Sequence, residues 1–75
     1  VSPHFGISDG RYKLIRFYNK VNSWEFYDLR EDATEMNNLY NNPKYAEKQA
    51  EMMKRLKQEI KKQDDIEAMH IFEAS

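Results

Sequence analysis

The chain has no cysteine. Disulfides and Cys/His zinc clusters are therefore excluded, and the redox compartment is left undecided, because a cysteine-free chain suits reducing and oxidising surroundings alike. Glycine and proline number two each among 75 residues, so each one marks a definite place in the chain. Neither sign of charge dominates. Lys and Arg total 12 against 13 Asp and Glu, a formal net charge of −1, which supplies no global field to recruit nucleic acid or anionic lipid. No apolar run approaches the roughly 20 residues of a membrane-spanning helix, so a soluble chain without membrane contact is expected. There is no Asn-x-Ser/Thr acceptor, which leans away from a glycosylated lysosomal protein. EF-hand spacing is also missing around Glu31, Asp32 and Glu35. A single domain of this size, residues 1–75, buries only about 60% of its unfolded surface. With nothing to staple so small a core, a partner surface is expected. The opening Val1-Ser2-Pro3-His4 has no initiator Met, charged n-region or apolar h-region, and reads as part of a longer chain.

What is present is aromatic and patterned. Asp9-Gly10 between two β-prone runs predicts a two-residue type I′ hairpin, a turn that needs positive φ at both central residues. The strands are then His4 to Ser8 and Arg11 to Tyr18. In that register Ile7 opposes Tyr12 and Phe5 opposes Leu14. Phe5, Ile7, Tyr12 and Leu14 share a face that reads as core, and His4, Gly6, Ser8, Arg11, Lys13, Ile15 and Phe17 share the other. A polar loop, Asn19 to Ser23, leads into a third strand, Trp24 to Leu29, with Trp24 near Tyr18. Residues 30–42 read as a turn-rich connection with one helical turn around Thr34 to Leu39, pinned to the sheet by Leu39 and Tyr40.

Asn42-Pro43 is a helix start, with Asn as cap and Pro where its missing N–H is harmless. The helix should run to Lys62 on a stripe of Tyr45, Ala46, Met52, Met53, Leu56 and Ile60, interrupted at Gln49. The tail, 63–75, departs from that pattern; its apolar piece Ile66 to Phe72 is either a covering element or frayed. The expected fold is α+β: a small antiparallel sheet of three or four strands within 4–29, the connection 30–42, and one long helix, 43–62, packed on a face.

Four blocks in order, RYKLIRFY from Arg11, WEFYDL from Trp24, EMNNLY from Glu35 and NPKYAE from Asn42, resemble the C-terminal subdomain of the sulfatases. These are sulfuric ester hydrolases acting on sulfated sugars, choline sulfate or aryl sulfates, and in look the chain is nearest to bacterial glycan, N-acetylglucosamine-6-sulfatase-like and arylsulfatase-like members. Each block alone is common; their order and spacing, over roughly His4 to Lys62, carry the resemblance. It implies a parent whose Cys/Ser-x-Pro-x-Arg segment yields formylglycine and whose acidic residues hold a divalent cation, calcium. This chain has no Cys and no Ser-x-Pro-x-Arg. The resemblance thus implies a piece of an enzyme, with no catalytic residue and no cofactor of its own. Its partners would be the catalytic N-terminal domain of the same polypeptide and a sulfated carbohydrate. A bacterial parent would be periplasmic or secreted.

Two residues stand as substrate-binding candidates. His4, beside Gly6 on the face away from the core, is where the family can present a side chain to the sugar; the other reading is a structural histidine. Arg11 has the guanidinium suited to sulfate or carboxylate, and the other reading, shared with Lys13 and Arg16, is pairing with Glu25 or Asp28 across the sheet. The family often carries Arg where Ser8 stands, in a His-Tyr/Phe-Gly-Val/Ile-Arg-Thr pattern. His70 reads as structural, and the aromatics at strand and helix spacing read as core. Lys54, Arg55, Lys57, Lys61 and Lys62, interleaved with Glu51 and Glu59, make a solvated helix face rather than a nucleic-acid site. A different class of function stays open beside the sulfatase reading: a non-catalytic module docking on a partner through Met52, Met53 and Leu56.

Overall fold

A computed structural model describes residues 3–19 and 22–74. Three strands, β1 (His4–Ser8), β2 (Tyr12–Phe17) and β3 (Ser23–Asp28), form one antiparallel sheet in the order β1-β2-β3. A single 3-10 turn, Pro43–Tyr45, leads into α1 (Ala46–Lys62), and a second helix, α2 (Ile66–Glu73), follows. The expected α+β fold is present, with three strands among the described residues.

The hairpin turn differs from the type I′ expectation. Gly10 has φ +96, but Asp9 is not among the positive-φ residues. The Asp9 side chain explains this: its Oδ1 accepts from the Arg11 N–H at 3.0 Å and the Tyr12 N–H at 2.8 Å, while the Asp9 N–H donates to the Tyr12 carbonyl at 3.1 Å. The turn therefore centres on Gly10 and Arg11, with glycine first, as a type II′ turn asks. Every β1 residue meets a partner two positions further on than expected, Ile7 opposite Leu14 and Phe5 opposite Arg16. A shift of two leaves the faces unchanged, because side chains alternate with period two. In β3 the register sets Trp24 against Arg16 rather than near Tyr18, with the guanidinium 5.8 Å from the indole centre.

One face of the sheet is buried under α1. Leu14, Phe26 and Met52 are fully buried and Leu56, Ile60 and Ala68 nearly so, in one cluster edged by Phe5, Ile7, Tyr12 and Trp24. Met52, Leu56 and Ile60 of the helical stripe are thus consumed by the domain's own core, with Tyr45 and Met53 packed at its edge, whereas Ala46, expected on the stripe, is exposed in the first turn of α1. Met52 and Leu56 are unavailable to a docking partner, which removes the physical basis of the interaction-module reading. Gln49, the gap in the stripe, turns back to the connection and accepts from the Asn41 N–H at 2.7 Å. Asn42 caps as expected, accepting from the Lys44 N–H at 3.0 Å.

The helical turn expected around Thr34 to Leu39 does not form. Glu35 lies in the left-handed region at φ 55, and the Asp32 carboxylate takes the N–H groups of Met36 and Asn37 at 3.1 and 2.8 Å, offering the backbone bonds that compete with a helix. Leu39 and Tyr40 pin the segment as anticipated. The Leu39 N–H donates to the Phe26 carbonyl at 2.7 Å, and Tyr40 stacks on Trp24 at 5.8 Å. Asn38 closes the outer edge of β3, its amide accepting from the Phe26 N–H and donating to the Trp24 carbonyl. The tail proves to be a covering element. Asp65 caps α2 through the Ala68 N–H, Ala68 enters the core, and Phe72 meets Trp24 edge-on at 5.7 Å.

Leu56 is 2% exposed, so Leu56→Ala should cost about 2–5 kcal/mol in a urea melt. For a small core only a few kcal/mol stable in total, that is close to complete unfolding. An unchanged midpoint would show that α1 does not pack where described.

Candidate functional site

The outer face of the sheet is built from three cross-strand rows. The register sets His4–Phe17–Ser23 at one end, Gly6–Ile15–Glu25 in the middle and Ser8–Lys13–Tyr27 at the other. Gly6 is required there. A Cβ would come within 2.4 Å of the Leu14 carbonyl oxygen and 3.2 Å of the Ile15 Cα, both of them backbone atoms that cannot give way. The middle row therefore lacks a side chain on β1, and the face dips into an open concavity of about 470 Å3 lined by residues of all three rows together with Ile7 and Glu35.

Polar groups of this face are tied to one another. Lys13 reaches the Glu35 carboxylate at 3.1 Å, which brings the positive-φ residue of the connection onto the sheet. Tyr27, nearly buried, donates its hydroxyl to Glu25 at 2.5 Å. Burial, and then the hydrogen bond to Glu25, push the Tyr27 hydroxyl up to about 12, so it stays a proton donor and Glu25 the acceptor. The Ser23 Oγ, on the same face, is buried with no hydrogen-bond partner among the described residues, and nothing in the structure accounts for it.

The two candidates from the sequence are not brought together. His4 lines the concavity, with its ring 5.2 Å from that of Phe17. Arg11 lies at the far end of the hairpin, in the turn, and does not line it. Its guanidinium grips Asp28 two-pronged, Nε to Oδ1 at 3.0 Å and Nη2 to Oδ2 at 2.9 Å, and Asp28 is 1% exposed. A carboxylate so buried needs a charged partner. Of the pairings considered from sequence, Arg11 with Asp28 is present. Lys13 takes Glu35 instead, and the Arg16 guanidinium donates to the Phe17 and Ser23 carbonyls. His70 is exposed on α2. Sequence reasoning set Glu25 aside as a cross-strand pairing partner, Tyr27 as core and Glu35 for want of EF-hand spacing, and so named none of the three as a site residue. Strict alternation along β3, set in register with β2, could have placed the first two beside Ile15; Glu35 arrives from a loop and carries no such signal.

A family model described as N-sulphoglucosamine sulphohydrolase, C-terminal, matches residues 1–63. The chain belongs to this sulfatase C-terminal family. An N-acetylglucosamine-6-O-sulfatase of Bacteroides thetaiotaomicron is 43% identical to it over 65 residues, 87% of the chain and 12% of that protein. An uncharacterized protein of Haemophilus influenzae is 35% identical over 54 residues, 72% of the chain and 27% of that protein. The solved structure of BT4656 in complex with its substrate, D-glucosamine-2-N,6-O-disulfate, superposes with a TM-score of 0.80 at 43% identity, covering 84% of this chain and 13% of that one. The sulfatase C-terminal domain described here thus spans about an eighth of the length of that sulfatase and that solved chain. The matched residues end at Gln63, so α2 lies beyond the family model.

A second polar cluster fastens the domain's turn to its helix. Asp9 faces Lys48 at 3.0 Å, Lys48 also meets Glu51 at 2.9 Å, and the Lys48 ammonium lies 5.0 Å from the Tyr12 ring centre. The Asp9 carboxyl is held at about 2, below its ordinary 3.8, chiefly by the Tyr12 N–H and then by the Arg11 N–H and Lys48, against the opposing effect of burial. Arg11 likewise holds Asp28 below the usual carboxylate range. Between the native and ordinary values the unfolded chain binds more protons, so stability rises with pH there. Stabilisation from Asp9 is complete above about pH 4 and is lost as the pH falls through about 2, and Asp28 contributes in the same direction. Urea midpoints measured from pH 5 to pH 2 should fall across that window, and Asp9→Asn should flatten the slope. A slope unaltered by the substitution would refute the assignment.

Proposed function

We propose that this domain is the C-terminal subdomain of a larger sulfatase that hydrolyses sulfate esters of sulfated glycans, and that its outer sheet face forms part of the rim of the substrate cleft. One observation carries this reading: the 43% identical likeness, at a TM-score of 0.80, to a protein solved with a sulfated glucosamine as its substrate. The partner of the domain is then the catalytic N-terminal part of its own polypeptide. Formylglycine and calcium belong to that part. Among the described residues no group of three His, Asp or Glu side chains is placed to hold a metal ion, so no step is assigned to a metal here. The bacterial parent is taken to work in the periplasm or outside the cell. In this reading His4 positions the sugar through the concavity that it lines.

The 75-residue chain by itself should turn over no aryl sulfate, since it carries no Cys/Ser-x-Pro-x-Arg segment to supply the formylglycine. Turnover that persists through purification would end the reading of a fragment without a catalytic centre. In the full-length enzyme His4→Ala should lower kcat/KM on the sulfated sugar by about 10-fold or more and barely change turnover of a small aryl sulfate that does not reach the contact. Equal losses on both substrates, or none on either, would return His4 to a structural role beside Phe17.

A further inference from the structure

Glu25 occupies the middle row of the outer face, opposite Ile15, with the side-chain-free Gly6 one strand further on. Among the described residues its polar partner is the neutral Tyr27 hydroxyl. Lys13, which also lines the concavity, is committed to Glu35 at 3.1 Å. A carboxylate offers about four lone-pair sites, so one bond from Tyr27 leaves Glu25 with acceptor capacity, and Glu25 lines the concavity of about 470 Å3.

Charge decides what suits it. Lys13 and Glu35 balance each other, which leaves Glu25 as the uncompensated charge among the Asp, Glu, Lys and Arg of the lining. A second sulfate there would be repelled, whereas neutral hydroxyl donors would be held by charge-assisted hydrogen bonds. Phe17 and the His4 ring supply the apolar wall that carbohydrate rings pack on. The lining is largely apolar, from Ile7, Ile15 and Phe17, with Glu25 and the Lys13–Glu35 pair set into it, which suits a sugar that offers both C–H faces and hydroxyl groups.

We propose that Glu25 is a substrate-binding residue of the parent sulfatase, accepting hydrogen bonds from ring hydroxyl groups of the sugar whose sulfate is cleaved by the remaining polypeptide. The proposal rests on the sulfated-glycan reading above. Tyr27 is then the group that fixes the carboxylate, remaining protonated throughout the physiological range.

The test uses the full-length enzyme with Glu25→Gln and Glu25→Ala, assayed on 6-O-sulfated glucosamine, on versions of that sugar each lacking one ring hydroxyl, and on a small aryl sulfate. Both variants should lower kcat/KM on the intact sugar, Glu25→Ala by about 10-fold or more, with aryl sulfate turnover within about twofold of wild type. For one deoxy sugar the Glu25→Ala loss should vanish, because the bond is already missing. Glu25→Gln keeps the shape and a bond to Tyr27, so it carries the test if the alanine variant does not fold. Equal losses on sugar and aryl sulfate would mean that Glu25 binds a basic side chain of the remaining polypeptide instead, and would overturn the proposal. So would an undiminished loss on every deoxy sugar. A wild-type enzyme inactive on all sulfated sugars would sink the functional reading and this inference together; an active wild type with no Glu25 differential sinks the inference alone.

Discussion

Everything in this domain depends on α1 covering one face of a sheet too small to stand alone. Strands of five and six residues in a three-stranded sheet expose as much apolar surface as they bury unless a helix closes one side. Leu14 and Phe26, directly opposed in the register, form the centre of that face, and Met52, Leu56 and Ile60 descend on them at helical spacing. The remaining interactions secure this contact at its margins. Asp9 and Lys48 hold the turn to the start of α1, Tyr40 and Phe72 close over Trp24 from two directions, and Ala68 fills in beside Ile60. Because α1 is consumed by this packing, whatever the domain does for a partner or a substrate must be done by other surfaces.

The outer face is the obvious remainder, and it is organised differently. Ile15 and Tyr27 are nearly buried on this face, where Lys13 pairs with Glu35 and the Tyr27 hydroxyl bonds to Glu25. What would otherwise be an apolar sheet face becomes a polar-rimmed concavity with a bare patch at Gly6. The steric demand on Gly6 comes from the β2 backbone, so the opening is a consequence of close strand approach rather than of loop conformation. A concavity set on strands is held more rigidly than one set on loops, which suits a group whose task is to fix the orientation of a ligand.

The sequence was most legible where periodicity speaks. The helix from Asn42-Pro43 to Lys62, the three strands and the membership of the core face were all readable, because a period of two or of 3.6 survives small errors of register. The hairpin shows why: the turn was misplaced by one residue and every pair shifted by two, yet Phe5, Ile7, Tyr12 and Leu14 kept their face. Side chains that bond to backbone were not legible. Asp9 moved the turn, Asp32 unmade a helical turn, and Asn38 completed a strand edge, each through a carboxylate or amide acting on N–H groups a few residues away or across the fold. The outer site was half legible for the same reason. His4 and Gly6 follow from alternation, whereas Glu35 joins Lys13 only because its backbone adopts φ 55 in a loop whose course no pattern announces.

A domain that borders a substrate cleft without supplying the reacting groups can influence which ester an enzyme cleaves. Catalysis gains from binding energy contributed by parts of the substrate that do not react, provided those contacts place the reacting bond correctly. A sulfate ester differs little from one sugar to another at the bond that breaks; the differences lie in the hydroxyl groups around it. A carboxylate set in a largely apolar concavity would discriminate through hydroxyl groups by the cost of leaving it unpaired when the expected donor is missing, and that cost exceeds what apolar contacts achieve by shape. The division of labour that follows is physical: strong fixed charge belongs where the sulfate is held, and acceptors without a cation belong where neutral hydroxyl groups are read. With Lys13 balanced by Glu35, the Glu25 carboxylate on the outer face would be an acceptor of the second kind.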